Sequence, residues 1–528
     1  MKERRFSKSK RMSKFFTIIA MMGFMVWFWG DSAIADEPKI AVYVQDMEPT
    51  IDWDPSVENA NGQVVLNNIY ETLFRYDFHE QKITPVLATE YSKSEDGMSW
   101  TFKIRKGVKF HDGSELDAEA VKFSIERTLG IQKDISYLWA AVDKITVVDK
   151  HTVRIDLQYP ASLDLIGASV FGSFIISPKA AKSHPADWFS QGNAAGTGPY
   201  KLFKYTMGKE AILQAFDGYW KGWDKKRYDY VVVKKVVEPS ARRQLLEKGE
   251  AVVAVNIPPE DIAQMKNNPN LNVHVGLSIQ NLYVMLNTQR APLNNKLVRQ
   301  AFAYAFPYEN VVEYAAGGYA KQARGPIPEG MWGHNETLFQ YSENLDKAKQ
   351  LLKQANIDPK GRKLLFTYES GIEEQRKLTE LYKSNLNKLG FDVEVRGMPW
   401  ESMAALGQST KIEDRQDIAV VLWFCMYPDP YEYLYLTFHT LDFILYNLHY
   451  WSNAEFDQLI DQANEVSVLD RQKAIELYHQ AQEILIDESP AIFVYDNKNR
   501  IITHKSLKGY KDNPAYQNVV FFHETHPE

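Results

Sequence analysis

The 528-residue chain has one cysteine, Cys425, so it can form no internal disulfide and no thiolate zinc site. It contains no G-x-S-x-G elbow, no H-E-x-x-H pair, no Walker loop and no G-x-G-x-x-G fingerprint, which removes the nucleophile, metalloprotease and nucleotide signatures those spacings carry. Internal repeats, low-complexity tracts and long charge runs are absent as well. Beyond the amino terminus no stretch approaches the ~18 consecutive apolar residues of a membrane span, so the body of the chain is expected to be soluble. The twelve histidines are scattered; the one close pair, His523 and His526, reads as a solvated tail rather than a metal site.

What is present is a globular composition, 45% hydrophobic and 24% charged, long enough for about three domain-sized units. The formal charge of −7 hides a division. Residues 1–35 carry seven basic and two acidic side chains; the remaining body has 54 basic against 66 acidic, a net −12. An acidic body without a basic stripe argues against nucleic acid as a partner.

The basic stretch ending at Lys14, the apolar run Phe15 to Gly30 and the small residues Ala33 and Ala35 follow the order of an export signal, with cleavage expected after Ala35. The competing reading is a retained anchor. No cysteine follows the apolar run, so a lipid-anchored terminus is unavailable, and the expectation is a soluble protein of the bacterial periplasm.

Farther along, Trp100, Phe102 and Ile104 alternate with polar residues and Val108 and Phe110 resume the alternation, predicting a hairpin closed by His111-Asp112-Gly113. Asp117 is placed to cap the next helix, with Gly130 just past its end. Gly196-Thr197-Gly198-Pro199-Tyr200 reads as a tight turn into a strand, since Pro199 lacks a donor that a phosphate cradle would want. Leu364–Tyr368, Phe391–Val395 and Ile418–Phe424 are short apolar runs separated by helical patterns, the mark of βαβ units in a parallel sheet. A capping box of Ser370 and Glu373 should start the first of those helices and Gly390 should stop it. Open parallel sheets bind ligands beyond the carboxyl ends of their strands, so the helix start carrying Arg376, the loop carrying Trp400 and the segment Trp423–Pro430 are expected to converge on one cleft.

Together these motifs resemble the bacterial extracellular solute-binding proteins of family 5, the peptide, nickel and opine binders of ABC importers. The resemblance is carried by Tyr70-Glu71-Thr72-Leu73 (taken as an early helix), Pro85-Val86-Leu87-Ala88 and the hairpin Trp100 to Gly113. It continues through Gly196 to Tyr200, Asn287-Thr288 with Pro292-Leu293, Val298-Arg299-Gln300-Ala301 and Asp346-Lys347-Ala348-Lys349. It implies an α/β, two-lobed periplasmic binding protein fold with an extra subdomain in the first lobe. The implied layout is a signal peptide at 1–35, first-lobe segments at 36–68, 196–282 and 499–528, the extra subdomain at 69–195, and the second lobe at 283–498, with hinge crossings near 283 and 498.

The resemblance further implies a non-enzymatic, monomeric receptor that closes on a small solute, a peptide or a related compound, and delivers it to a membrane ABC permease. It assigns no catalytic residue, metal ligand or cofactor. Peptide binders of the family hold the α-amine with an aspartate where this chain has Met426, which turns attention to nickel chelates, opines or oligosaccharides beside peptides. The implied ligand-binding residues are Trp423, Met426, Tyr427 and Asp429 at the strand end, Arg376 as a carboxylate partner, and Trp400 and Trp139 by position; Asp429 is better placed to cap the turn, and Arg376 is equally placed to pair with Glu373 or Glu380 on a solvated face. The competing functions are a secreted hydrolase of cell-wall or sugar substrates, requiring a pair of cleft carboxylates, and an exported chaperone-like binder of unfolded segments.

Overall fold

The computed structural model describes residues 37–528 apart from 225, 442, 443 and 445, so the expected export signal at 1–35 and its expected cleavage after Ala35 lie outside the described residues. Lys39–Glu528 forms one compact unit.

Strand Ile418–Phe424 explains how the later half is built. Ala419, Val421 and Trp423 enter one apolar core, while Ile418 and Val420 enter another. Side chains alternate across a strand, so a strand buried on both faces needs an unbroken apolar run, and this is one. It lies inside a six-stranded sheet, antiparallel to Gln280–Leu286 on one side and parallel to Lys363–Glu369 on the other, with Asp392–Met398 parallel beyond that. The expected βαβ units are therefore present, in a mixed sheet that Ala491–Asn497 and Ala320–Gln322 complete with antiparallel pairs.

A seven-stranded sheet holds Ile40–Gln45 parallel to Tyr230–Lys235 and Val253–Val255, and takes Asn499–His504 from the far end of the chain. The chain passes from this sheet to the six-stranded one between Gly276 and Gln280, and returns between Asn497 and Asn499. A four-stranded antiparallel sheet, running Ala88–Lys93, Ser99–Ile104, Thr152–Leu157 and Val142–Asp149, is backed by helix Ala118–Ile131.

Several local expectations need correction. Ser99–Ile104 does not pair with 108–110; its partners are Ala88–Lys93 and Thr152–Leu157, because Lys106-Gly107 turns the chain away and leaves only a Lys109–Glu115 bridge. Asp117 caps its helix by accepting from the Ala120 amide, but the helix runs through Gly130 and ends at Gln132 in the left-handed region. The capping box is absent: the helix Glu373–Lys388 starts after Ile372, and Glu373 is taken up by Arg376. Gly390, with φ 104°, follows the helix end as expected. Tyr70–Leu73 is no helix; helix Gln63–Ile69 stops before it. The tail is packed, with Phe522 buried and His523 against Tyr219 and Trp223.

The turn at Gly196–Tyr200 is one place where glycine is required by close approach. A Cβ on Gly196 would lie 2.1 Å from the Ile69 carbonyl oxygen, and one on Gly198 2.6 Å from the same backbone. Between them Thr197 donates to Glu71, which also accepts from Tyr219 and Trp220. Gly196→Ala should therefore cost about 3 kcal/mol or prevent folding, as overpacking against backbone does. Equilibrium urea unfolding checks it, and a loss under about 0.5 kcal/mol, the range of an indifferent surface change, would contradict the account.

Candidate functional site

A cavity of 420 Å³ lies between the segments 134–166 and 423–446. It is built from the end of strand Ile418–Phe424. The residues after that strand form a turn at Tyr427–Asp429 and then helix Pro430–Phe438, whose start is fixed by Asp429 accepting from the Tyr431 amide. Pro430 at the first helical position suits this start. Across the cavity, the short 3-10 helix Asp134–Trp139 brings Asp134, Tyr137 and Leu138, and Tyr159 and Ser162 follow.

The two sides are tied by one backbone hydrogen bond and by side chains. The Met426 carbonyl accepts from the Val170 amide at 3.2 Å and from Ser169 Oγ at 2.8 Å, and the Met426 amide donates to Glu432 Oε2 at 3.1 Å. Tyr137 Oη donates to the same oxygen at 2.8 Å. Glu432 is 2% exposed, and its Oε1 makes no hydrogen bond among the described residues. Burial raises its carboxyl to about 8 in spite of the two donors, with the nearby Asp429 adding to the rise. Burial likewise raises Asp429 to about 6, opposed by the Tyr431 amide and the Arg471 charge.

The remaining wall is aromatic. Trp423 meets Tyr446 edge-on at 4.8 Å, and Tyr431 stacks on Tyr435 at 4.7 Å, one helical turn apart. The Trp423 indole is 6% exposed, and its Nε1 has no hydrogen-bond partner among the described residues. Buried indole N–H groups are normally paired, so this one is an exception inside the wall.

Of the residues singled out from sequence, Trp423, Met426, Tyr427 and Asp429 line this cavity. Trp400 does not line it but stacks on Tyr446 at 6.0 Å, supporting the wall from behind. Trp139 is 1% exposed and donates to the Gly172 carbonyl, a core position. Arg376 is exposed and held in a bidentate pair by Glu373, away from the cavity. The three strand ends therefore do not all converge. Cys425 is fully buried and accepts from Tyr433 Oη, with its thiol pushed well up by burial, so it offers no label for the cavity.

Sequence reasoning missed Glu432 and Tyr137. A signal for Glu432 existed: it is the one charge in the apolar, aromatic stretch Pro430 to Phe438. A second cavity, of 450 Å³, is lined by Tyr76, Trp100, Asp164, Leu469 and Arg471 among others and contains none of the expected residues. Among the described residues no group of three His, Cys, Asp or Glu side chains could hold a metal ion, and no helix is long and apolar enough to cross a membrane.

A cavity walled by aromatics at the carboxyl end of a sheet strand, closed from the other side by the 3-10 helix Asp134–Trp139 and the segment 159–166, suits a binding protein for a small solute. The chain belongs to the bacterial extracellular solute-binding proteins, family 5, whose family model matches residues 82–443. It is 30% identical over 479 residues to the probable D,D-dipeptide-binding periplasmic protein DdpA of Escherichia coli K12, covering 89% of this chain and 90% of that one. It is 28% identical to the glutathione-binding protein GsiB of Pectobacterium atrosepticum, over 93% of each chain. Among solved structures, the periplasmic binding protein DppA of Helicobacter pylori in complex with the peptide STSA superposes with a TM-score of 0.79 at 26% identity, covering 93% of this chain and 98% of that one. The fold is accordingly the α/β, two-lobed periplasmic binding protein fold.

Two outcomes test this geometry. Cys425 should resist a thiol reagent in the native protein and react once in urea; native reaction at the unfolded rate contradicts its placement. Because the native carboxyl of Glu432 ionises near 8 and the unfolded one near 4.5, stability falls as pH rises between those values. Glu432→Gln keeps acceptors for Tyr137 and Met426 and removes this loss, so its melting temperature should exceed the wild type's at pH 8.5 by more than at pH 5. An equal difference at both contradicts the assignment.

Proposed function

We propose that this chain is the periplasmic substrate-binding component of an ABC importer, capturing a peptide or related small solute in the 420 Å³ cavity and passing it to a membrane permease. The observation that carries the reading is that cavity, aromatic and joined from two sides, on the fold of this family. Relatives named for dipeptide and glutathione binding support peptide-like solutes, and the solved relative holding STSA supports the same class. Closure by bending where the chain passes between the two large sheets, near 277–279 and 498, would bring the lobes onto the solute. The proposed lobes follow the layout set out from sequence with the first crossing moved from 283 to 277–279, since strand Gln280–Leu286 belongs wholly to the six-stranded sheet: 36–68, 196–276 and 499–528 in the first, 69–195 as its subdomain, and 280–497 in the second. The proposal includes export by the segment 1–35 with cleavage after Ala35, and a monomeric receptor.

The ligand contacts in this reading are Trp423, Met426, Tyr427 and Asp429 from the strand end, with Tyr137 and Glu432 added. Arg376 is left out, its charge being neutralised on an exposed face. Trp139 and Trp400 serve as support. Asp134, Asp429 and Glu432 line the cavity as the hydrolase reading requires, but Asp429 is committed to starting helix Pro430–Phe438, and that reading stays second to the binding one; the chaperone reading gains no specific observation.

A thermal-shift screen of di- and tripeptides, glutathione, nickel–histidine and opines tests the function. A ligand at 100 times its Kd should stabilise by about 2.7 kcal/mol and raise the melting temperature as ln(1 + [L]/Kd). Trp423→Ala should abolish that rise while leaving a cooperative transition. A rise unaffected by this substitution would move the site elsewhere.

A further inference from the structure

Solute capture makes no use of the 450 Å³ cavity, whose charge is opposite in sign to that of the solute cavity. It is enclosed by the hairpin of Phe74–Asp77 and Lys82–Pro85, by the strands carrying Lys93 and Trp100, by Ser162 and Asp164, and by the junction at 467–471 between helices Ala454–Ser467 and Arg471–Glu488. We propose that it is a second binding site, taking a small oxyanion, the carboxylate or phosphate group of its ligand, between Arg471 and Lys93.

Arg471 carries the inference. Its guanidinium lies 4.4 Å over the Trp332 ring, and it makes no hydrogen bond or ion pair among the described residues. A guanidinium oriented by an aromatic face and left unpaired presents a planar fork that matches two oxygens of a carboxylate or phosphate. Lys93, from the other side of the cavity, donates to the Val468 carbonyl and keeps its charge and further donors. The hydroxyls of Tyr76 and Ser162 line the same space and hydrogen-bond to nothing among the described residues. Arg471 is also the first residue of an 18-residue helix, whose amino end adds positive potential.

The nearby acids are committed. Asp164 accepts from Tyr91 Oη at 3.1 Å and from the Leu165 amide at 2.9 Å, and Asp470 caps the helix by accepting from the Lys473 amide. Asp429 feels the Arg471 charge, but it lines the solute cavity and accepts from the Tyr431 amide. Two cations against one acid in the lining leave one negative charge to be supplied. A cation would be repelled there, and an apolar group would leave Arg471 and Lys93 desolvated without a partner, a large cost.

Ligand-observed NMR of acetate and of inorganic phosphate with the full chain, at constant ionic strength in sodium chloride and with acetamide as the uncharged analogue of acetate, tests this. At least one of the two oxyanions should bind saturably at one site, at least about tenfold more tightly than acetamide. Tighter binding of acetate makes the ligand a carboxylate and tighter binding of phosphate makes it a phosphate ester; either supports the site. Arg471→Gln should weaken oxyanion binding at least about tenfold, and Arg471→Lys, which keeps the charge but loses the fork, by about threefold. Asp164→Asn removes the opposing charge and should strengthen binding about threefold, a gain that damage to the fold does not produce. Oxyanion binding no tighter than that of acetamide, unchanged by Arg471→Gln, or weakened by Asp164→Asn overturns the proposal and leaves solute capture in the other cavity intact.

Discussion

The arrangement depends on one constraint: strand Ile418–Phe424 is buried on both faces. With Ala419, Val421 and Trp423 committed to one core and Ile418 and Val420 to the other, a shift of one residue would exchange every side chain between them, so the register is fixed. The chain leaving this strand must then cross to the neighbouring segment, where the Met426 carbonyl meets Val170 and Ser169. The cavity follows from that crossing. Its wall is the last strand residues and the first turn of the following helix, held at a distance set by the Val170–Met426 backbone hydrogen bond together with those of Ser169 and Tyr137.

The same crossing explains the acid. An isolated buried carboxylate is costly, and Glu432 is tolerated because Tyr137 and the Met426 amide both donate to it while its proton remains in place near neutrality. Asp429, two residues into the turn, is buried too but is occupied with starting a helix. Two neighbouring acids thus have different work: one fixes the backbone, the other faces the space. Binding sites commonly carry such a local cost to stability in exchange for function.

Much of the architecture was legible in the sequence. The three apolar runs of the later half are the three parallel strands, although only Ile418–Phe424 is buried on both faces and Asp392–Met398 is a largely exposed edge strand. The close approach at Gly196–Tyr200 was legible as a turn. Pairing was less so: Trp100, Phe102 and Ile104 alternate as a strand should, yet their partner lies at 152–157, and alternation says nothing of which strand comes alongside. Arg376 was open to two readings from sequence, a ligand partner or a pair with Glu373 or Glu380, and only the structure shows the pair with Glu373. Tyr137 was invisible, because its value comes entirely from tertiary contact with Glu432.

The central claim is that solute is held between the segments 134–166 and 423–436. Amide hydrogen exchange with a saturating ligand measures this most directly. The account predicts slowed exchange in both segments together, including the Met426 amide, with little change around Leu469 and Arg471. Protection confined to the surroundings of the 450 Å³ cavity, with 134–141 and 423–432 unchanged, would contradict it.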